Sequence, residues 1–147
     1  MTQNNECWIL PESVSLTVCD AGREAVLDQM IALLERTGCV RDKKILKTDL
    51  LNREALGSVD IGEDVSMPHA QSQGVSRFCA SIAVMQKKRI CLLTAWPSVS
   101  YKELKTIAAF IELFKDERKK KELFLVESAQ ELFEKIKTHL AGYGINA

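Results

Sequence analysis

A chain of 147 residues with 46% apolar and 27% charged side chains has the size and make-up of one soluble globular domain. Its 20 basic and 20 acidic residues cancel to a formal charge of zero, which excludes the basic excess of a nucleic-acid binder. No apolar run is long enough to cross a bilayer, and the polar start M-T-Q-N-N-E lacks the layout of a signal peptide.

The cysteines Cys7, Cys19, Cys39, Cys79 and Cys91 form an odd set without a C-x-x-C pair. That pattern reads as a reducing, cytoplasmic setting with no disulfide and no structural zinc. The basic runs Lys87-Lys88-Arg89 and Arg118 to Lys121 read as solvated faces.

In chain order, Val14, Leu16 and Val18 alternate with Ser13, Ser15 and Thr17, the period-two pattern of a half-buried strand. From about Gly22 to Thr37, Val26, Met30, Leu33 and Leu34 share a helical face, with Gly38 as the stop. A second helix is expected from Asp42 to Leu56, pointing Leu46, Leu50 and Leu51 inward and stopping at Gly57. Val65 to Met67 has strand character, and Pro68 removes a backbone donor, so pairing should end there.

Arg77 to Met85 and Ile90 to Ala95 are apolar on both faces, as in strands covered by helices on each side. Their short separation suits an antiparallel hairpin. Ser100-x-x-Glu103 is a capping-box pattern opening a helix with Leu104, Ile107, Ala108, Ile111 and Phe114 at helical spacing. A short helix around Glu117 to Phe124 and a last one opened by Ser128-x-x-Glu131 complete the pattern, and the Gly142-Tyr143-Gly144 tail is expected to fray. The sum is one α/β domain over residues 1–147, with a small central sheet flanked by helices on both faces.

His69 is one of two histidines and follows Pro68, where a strand should give way to a loop. Sites in α/β folds gather at such strand ends. An imidazole there suits reversible phosphoryl exchange, because much of an ordinary imidazole is neutral and nucleophilic near pH 7. The other histidine, His139, ends the last helix, where a cation suits the helix dipole. Two distant histidines and scattered cysteines offer no metal-ligand spacing, and no cofactor is expected.

The run Arg53-Glu54-Ala55-Leu56-Gly57-Ser58, then Ile61-Gly62, then Pro68-His69 resembles the signature of EIIA domains of the phosphoenolpyruvate-dependent phosphotransferase system. The nearest branch is the fructose/mannitol superfamily, type 2, especially its stand-alone nitrogen-regulatory members. The likeness runs through nearly the whole chain, from the N-terminal L-x-P-x-x-V to the final S-x-x-E-L helix.

The resemblance implies a phosphotransferase/anion transport protein-like fold with a mixed sheet. It also implies a cytoplasmic phosphocarrier whose His69 accepts phosphate from a histidine phosphocarrier protein. Arg53 is then the candidate cation, and Ser58 with nearby amides the candidate donor set for phosphoryl oxygens. No nucleic acid or membrane partner is implied. The regulated protein stays unidentified and self-association open.

Three departures from the signature stand out. Val59 replaces a threonine, Asp60 a glycine, and Glu63-Asp64 an Asn-Gly, placing three carboxylates upstream of His69. Their summed repulsion is expected to weaken phosphorylation about tenfold. Glu103 stands where a second histidine is common; it either orients His69 or caps its own helix. The hairpin around residues 86–89 is about ten residues shorter than usual for the resembled family. The alternative is therefore a degenerate EIIA-like domain that regulates by binding a protein without phosphotransfer.

Overall fold

The computed structural model describes residues 7–86 and 88–146, so the polar start and Lys87 of the first basic run lie outside the described residues. The elements run β1 (Val14–Ser15), α1 (Arg23–Glu35), α2 (Lys43–Ala55), β2 (Asp60–Ile61), β3 (Val65–Ser66), β4 (His69–Gln71), β5 (Cys79–Met85), β6 (Arg89–Trp96), α3 (Tyr101–Lys115), α4 (Glu117–Phe124) and α5 (Ala129–Gly142).

β5 and β6 form the expected antiparallel hairpin, in register from Cys79 with Ala95 to Met85 with Arg89. β1 adds in parallel to β5, β3 and β4 add in parallel to β6, and β2 closes antiparallel on β3. The sheet is mixed, as the fold class required. Side chains alternate across it, so the two faces feed two cores. Ile82, Ile90 and Leu92 join Phe110, Leu132 and Ile136 on the α3–α5 side. Ala83, Cys91 and Leu93 join Met30, Leu34 and Leu46 on the α1–α2 side.

Local chemistry sets the helix ends. Asp42 accepts from Lys44 and Ile45, Asp116 from Arg118 and Lys119, and Ser128 from Glu131. Leu51, expected inward, is exposed instead. Leu51 lies one residue past Leu50, about 100° around the helix from the buried stripe.

Several expectations are corrected. Sheet pairing does not end at Pro68: the Thr94 N–H donates to the Pro68 carbonyl at 3.1 Å, and β4 begins at the next residue. Proline removes a donor but leaves its carbonyl free to pair. The tail does not fray within the described residues. Gly144 turns back at φ 83°, the Ile145 N–H donates to Leu140, and Ile145 enters the core. The expectation of no disulfide is also overturned, because Cys39 and Cys79 are bridged. Cys39 follows the α1 stop and meets the start of β5 beneath it, a contact that sequence spacing does not reveal.

Gly74 seats the β4–β5 connection on α2. Its carbonyl accepts from Arg41 and Asp42 at 2.7 and 3.1 Å. An added Cβ would stand 2.6 Å from the Asp42 carbonyl oxygen, so only glycine permits this approach.

Candidate functional site

His69 is the first residue of an edge strand, opposite Thr94 of β6. Its strand position puts the half-buried ring on the α3–α5 side of the sheet, the side to which Leu92 and Ile90 also point. Nδ1 lies 2.8 Å from the Met67 carbonyl oxygen. A carbonyl only accepts, so Nδ1 is the protonated nitrogen and Nε2 keeps its lone pair. The Trp96 indole lies almost parallel to the ring, with centroids 6.1 Å apart and 13° between planes.

The other predicted site residues are not brought to the imidazole by hydrogen bonds. Arg53, near the end of α2, donates from Nη1 to the Gly57 carbonyl at 3.1 Å. The adjacent Glu54 pairs with Arg23 at 3.1 Å. Arg53 itself has no carboxylate partner among the described residues, and its helix packs against β4. The Ser58 hydroxyl is exposed and accepts from the Asp60 N–H at 3.1 Å.

The Glu103 N–H donates to the Ser100 hydroxyl at 3.5 Å, the capping geometry. Its side chain lines a cleft of about 510 Å³ with Trp8, Arg77 and Phe78. His69 is not part of that wall; the Ser100 hydroxyl supplies the cap, and Glu103 contributes its backbone N–H. His139 is likewise occupied, with Nε2 3.2 Å from Glu122.

The upstream carboxylates are less free than the sequence suggests. Asp60 pairs with Arg23 at 3.5 Å, and Asp64 with the buried ammonium of Lys120 at 3.0 Å. Burial pulls the Lys120 pKa down, but hydrogen bonds to Asp64 and Glu117 outweigh it and leave it raised. The expected tenfold penalty on a phosphoryl group is therefore cut, because two of the three negative charges are neutralised close by.

A second cleft, of about 480 Å³, opens on the α1–α2 side. Arg23, Glu54, Asp60 and Arg89 stand around it, Cys91 forms part of its floor, and Ser66 and Pro68 form one wall. Burial pushes the Cys91 thiol up to about 12. His69 faces away from this space. It is held at an open sheet edge, not in either cleft.

A family model described as phosphoenolpyruvate-dependent sugar phosphotransferase system, EIIA 2, matches residues 10–139. The chain belongs to this EIIA family. The fructose-specific EIIABC component of Bacillus subtilis (strain 168) is 33% identical over 63 residues. That stretch is 43% of this chain and 10% of the relative, so the chain matches only a tenth of that protein's length.

Two solved EIIA structures share the fold. The nitrogen regulatory protein IIA-Ntr of Neisseria meningitidis superposes with a TM-score of 0.69 at 17% identity, over 88% of this chain and 96% of the other. IIA mannitol of Escherichia coli gives 0.60 at 17% identity, over 85% and 96%. EIIA domains are phosphotransferase components, which fixes the class of chemistry to be weighed at His69. No helix among the described residues is long and apolar enough to cross a membrane.

Sequence reasoning missed two contributors. The Met67 carbonyl fixes the tautomer, and Trp96 stacks on the ring. The C-L-L-T-A-W-P run was legible as a strand, and extending it one residue to Trp96 would have placed the indole two positions beyond the partner of His69.

Proposed function

We propose that His69 is the phosphoryl acceptor of a regulatory EIIA protein, charged by a histidine phosphocarrier protein in the cytoplasm. The single observation that carries this reading is the 2.8 Å contact between Nδ1 and the Met67 carbonyl. It directs the lone pair to Nε2 on a half-buried ring at a sheet edge, where a partner protein can reach it.

The Nε2 lone pair attacks phosphorus in line. The P–N bond to the donor imidazole breaks, and its electron pair leaves with the donor. Nδ1 keeps its proton, so no general base is required. In this reading Arg53 and the amides of the Ser58 to Gly62 turn are the groups of this chain that meet phosphoryl oxygens once the partner docks.

The test is incubation with phosphoenolpyruvate, the first enzyme of the system and its carrier protein. The expected result is an acid-labile, base-stable mass gain that is absent in His69→Ala. No gain in the wild type, or a gain that survives that substitution, overturns the assignment.

A second reading, protein binding without phosphotransfer, is favoured by one observation. Arg53 donates to the Gly57 carbonyl and the Ser58 hydroxyl accepts from the Asp60 N–H, so neither candidate donor hydrogen-bonds the imidazole.

A further inference from the structure

Trp96 closes β6 beside the His69 ring. His69 pairs with Thr94, and Trp96 lies two residues further along the same strand, so indole and imidazole emerge on one face of the sheet. Phe78 stacks on the indole from behind, at 6.3 Å and 29°, and Trp8 backs Phe78 at 5.5 Å. The Ser72 N–H donates to the Trp96 carbonyl at 2.8 Å and fixes the backbone.

The indole is 7% exposed, and its Nε1 finds no acceptor among the described residues. A hydrogen bond at Nε1 therefore does not account for its orientation. Its plane runs nearly parallel to the imidazole, in the offset-stacked range.

We propose that Trp96 is a positioning residue that stabilises phosphorylated His69 through the charge of the ring. The inference rests on His69 being the phosphoryl acceptor. When Nε2 bonds to phosphorus while Nδ1 keeps its proton, the imidazole becomes an imidazolium carrying one positive charge. The donor imidazole takes away the electron pair of the broken P–N bond, so atoms and charge balance.

Indole presents the strongest aromatic face to a cation, and a centroid distance of 6.1 Å lies at the outer edge of that attraction. The Met67 carbonyl meets the same charge from Nδ1, and its hydrogen bond strengthens as the donor becomes cationic. At a half-buried ring the indole's share is about threefold in the lifetime of the phosphorylated state.

The experiment follows the lifetime of the label on His69 in wild type, Trp96→Phe and Trp96→Leu after donor is removed. Two donors are used, the carrier protein and phosphoramidate, which needs no docking. The half-life should fall about threefold in Trp96→Leu and less in Trp96→Phe, whose face is weaker. In a Trp8→Phe background Trp96 is the sole tryptophan, and its emission should drop on labelling as the cation forms on its face.

A wild-type half-life in a folded Trp96→Leu protein, or emission that ignores labelling, overturns the proposal. Should Trp96→Leu not fold, the emission change decides alone. Label from phosphoramidate but not from the carrier removes the donor named under the proposed function and leaves Trp96 to the same half-lives. No label from either donor removes both readings.

Discussion

Arg23→Gln tests whether ion pairing has disarmed the carboxylates near His69. Arg23 holds Glu54 at 3.1 Å and Asp60 at 3.5 Å, so the substitution removes the one positive charge that offsets them. Asp60 sits opposite Ser66, and the three residues from Ser66 to His69 rise about 10 Å along the strand. Adding the spacing between strands gives about 11 Å, and the Arg23 guanidinium, which pairs with Asp60, is taken at the same range.

With a dianionic phosphoryl on a cationic ring, labelling adds one net negative charge, and losing the guanidinium costs it about 0.4 kcal/mol in a water-like medium. Screening reduces this to about 0.1 kcal/mol at 0.15 M salt and about 0.25 kcal/mol at 0.01 M. The equilibrium level of label, relative to wild type, should fall about 1.2-fold at the higher salt and about 1.5-fold at the lower. The assay is the extent of labelling from the carrier protein, measured at equilibrium so that docking rate does not enter. A variant-to-wild-type ratio that stays the same at both salts would refute the electrostatic reasoning, as would labelling equal to wild type at both.

Gly74→Ala places a Cβ 2.6 Å from the Asp42 carbonyl oxygen and 2.7 Å from the Leu46 nitrogen, both backbone atoms. It should cost about 3 kcal/mol, read as a melting temperature lowered by roughly 10 °C. Under non-reducing conditions the unfolded chain should titrate Cys7, Cys19 and Cys91 as free thiols, whereas the folded protein should show fast reaction at Cys7 and Cys19 only. Cys91 is buried and held near 12, so thiol counting before and after denaturant checks both points. Lys120 binds its proton more tightly in the folded state than at its ordinary 10.5, so its contribution is complete below that value and lost as pH rises through the higher folded one. Alkaline unfolding should therefore be shallower in Lys120→Met than in wild type, and identical slopes would refute the assignment.

The helices were legible because their signals are local. Asp42, Ser100 and Ser128 mark N-termini by side chains that reach only two or three residues ahead, and the apolar stripes repeat within each segment. What the sequence hid depended on partners distant along the chain. β4 is three residues long and exists because β6 offers its edge, so no pattern within His69 to Gln71 announces it. The Cys39–Cys79 bridge, the Ile145 anchor and the Lys120–Asp64 pair join positions whose proximity is set only by the assembled layers.

The candidate site divides along the same line. His69 could be singled out because a proline-histidine step within an ordered set of motifs is local information. Its environment could not, since Met67, Thr94 and Trp96 act on it through strand register. Glu103 stands outside that register, on the first turn of α3. α3 begins only at Tyr101, after Pro97 and the Ser100 cap, and its first turn lines the cleft beside Phe78, with Trp96 stacked between Phe78 and His69. The Trp96 indole thus lies between the His69 ring and the α3 side of the molecule only through its near-parallel packing on both His69 and Phe78. Any reaction at His69 then relies on the Met67 carbonyl and the Trp96 indole to hold the ring, and on the docked partner to complete the contacts to phosphorus.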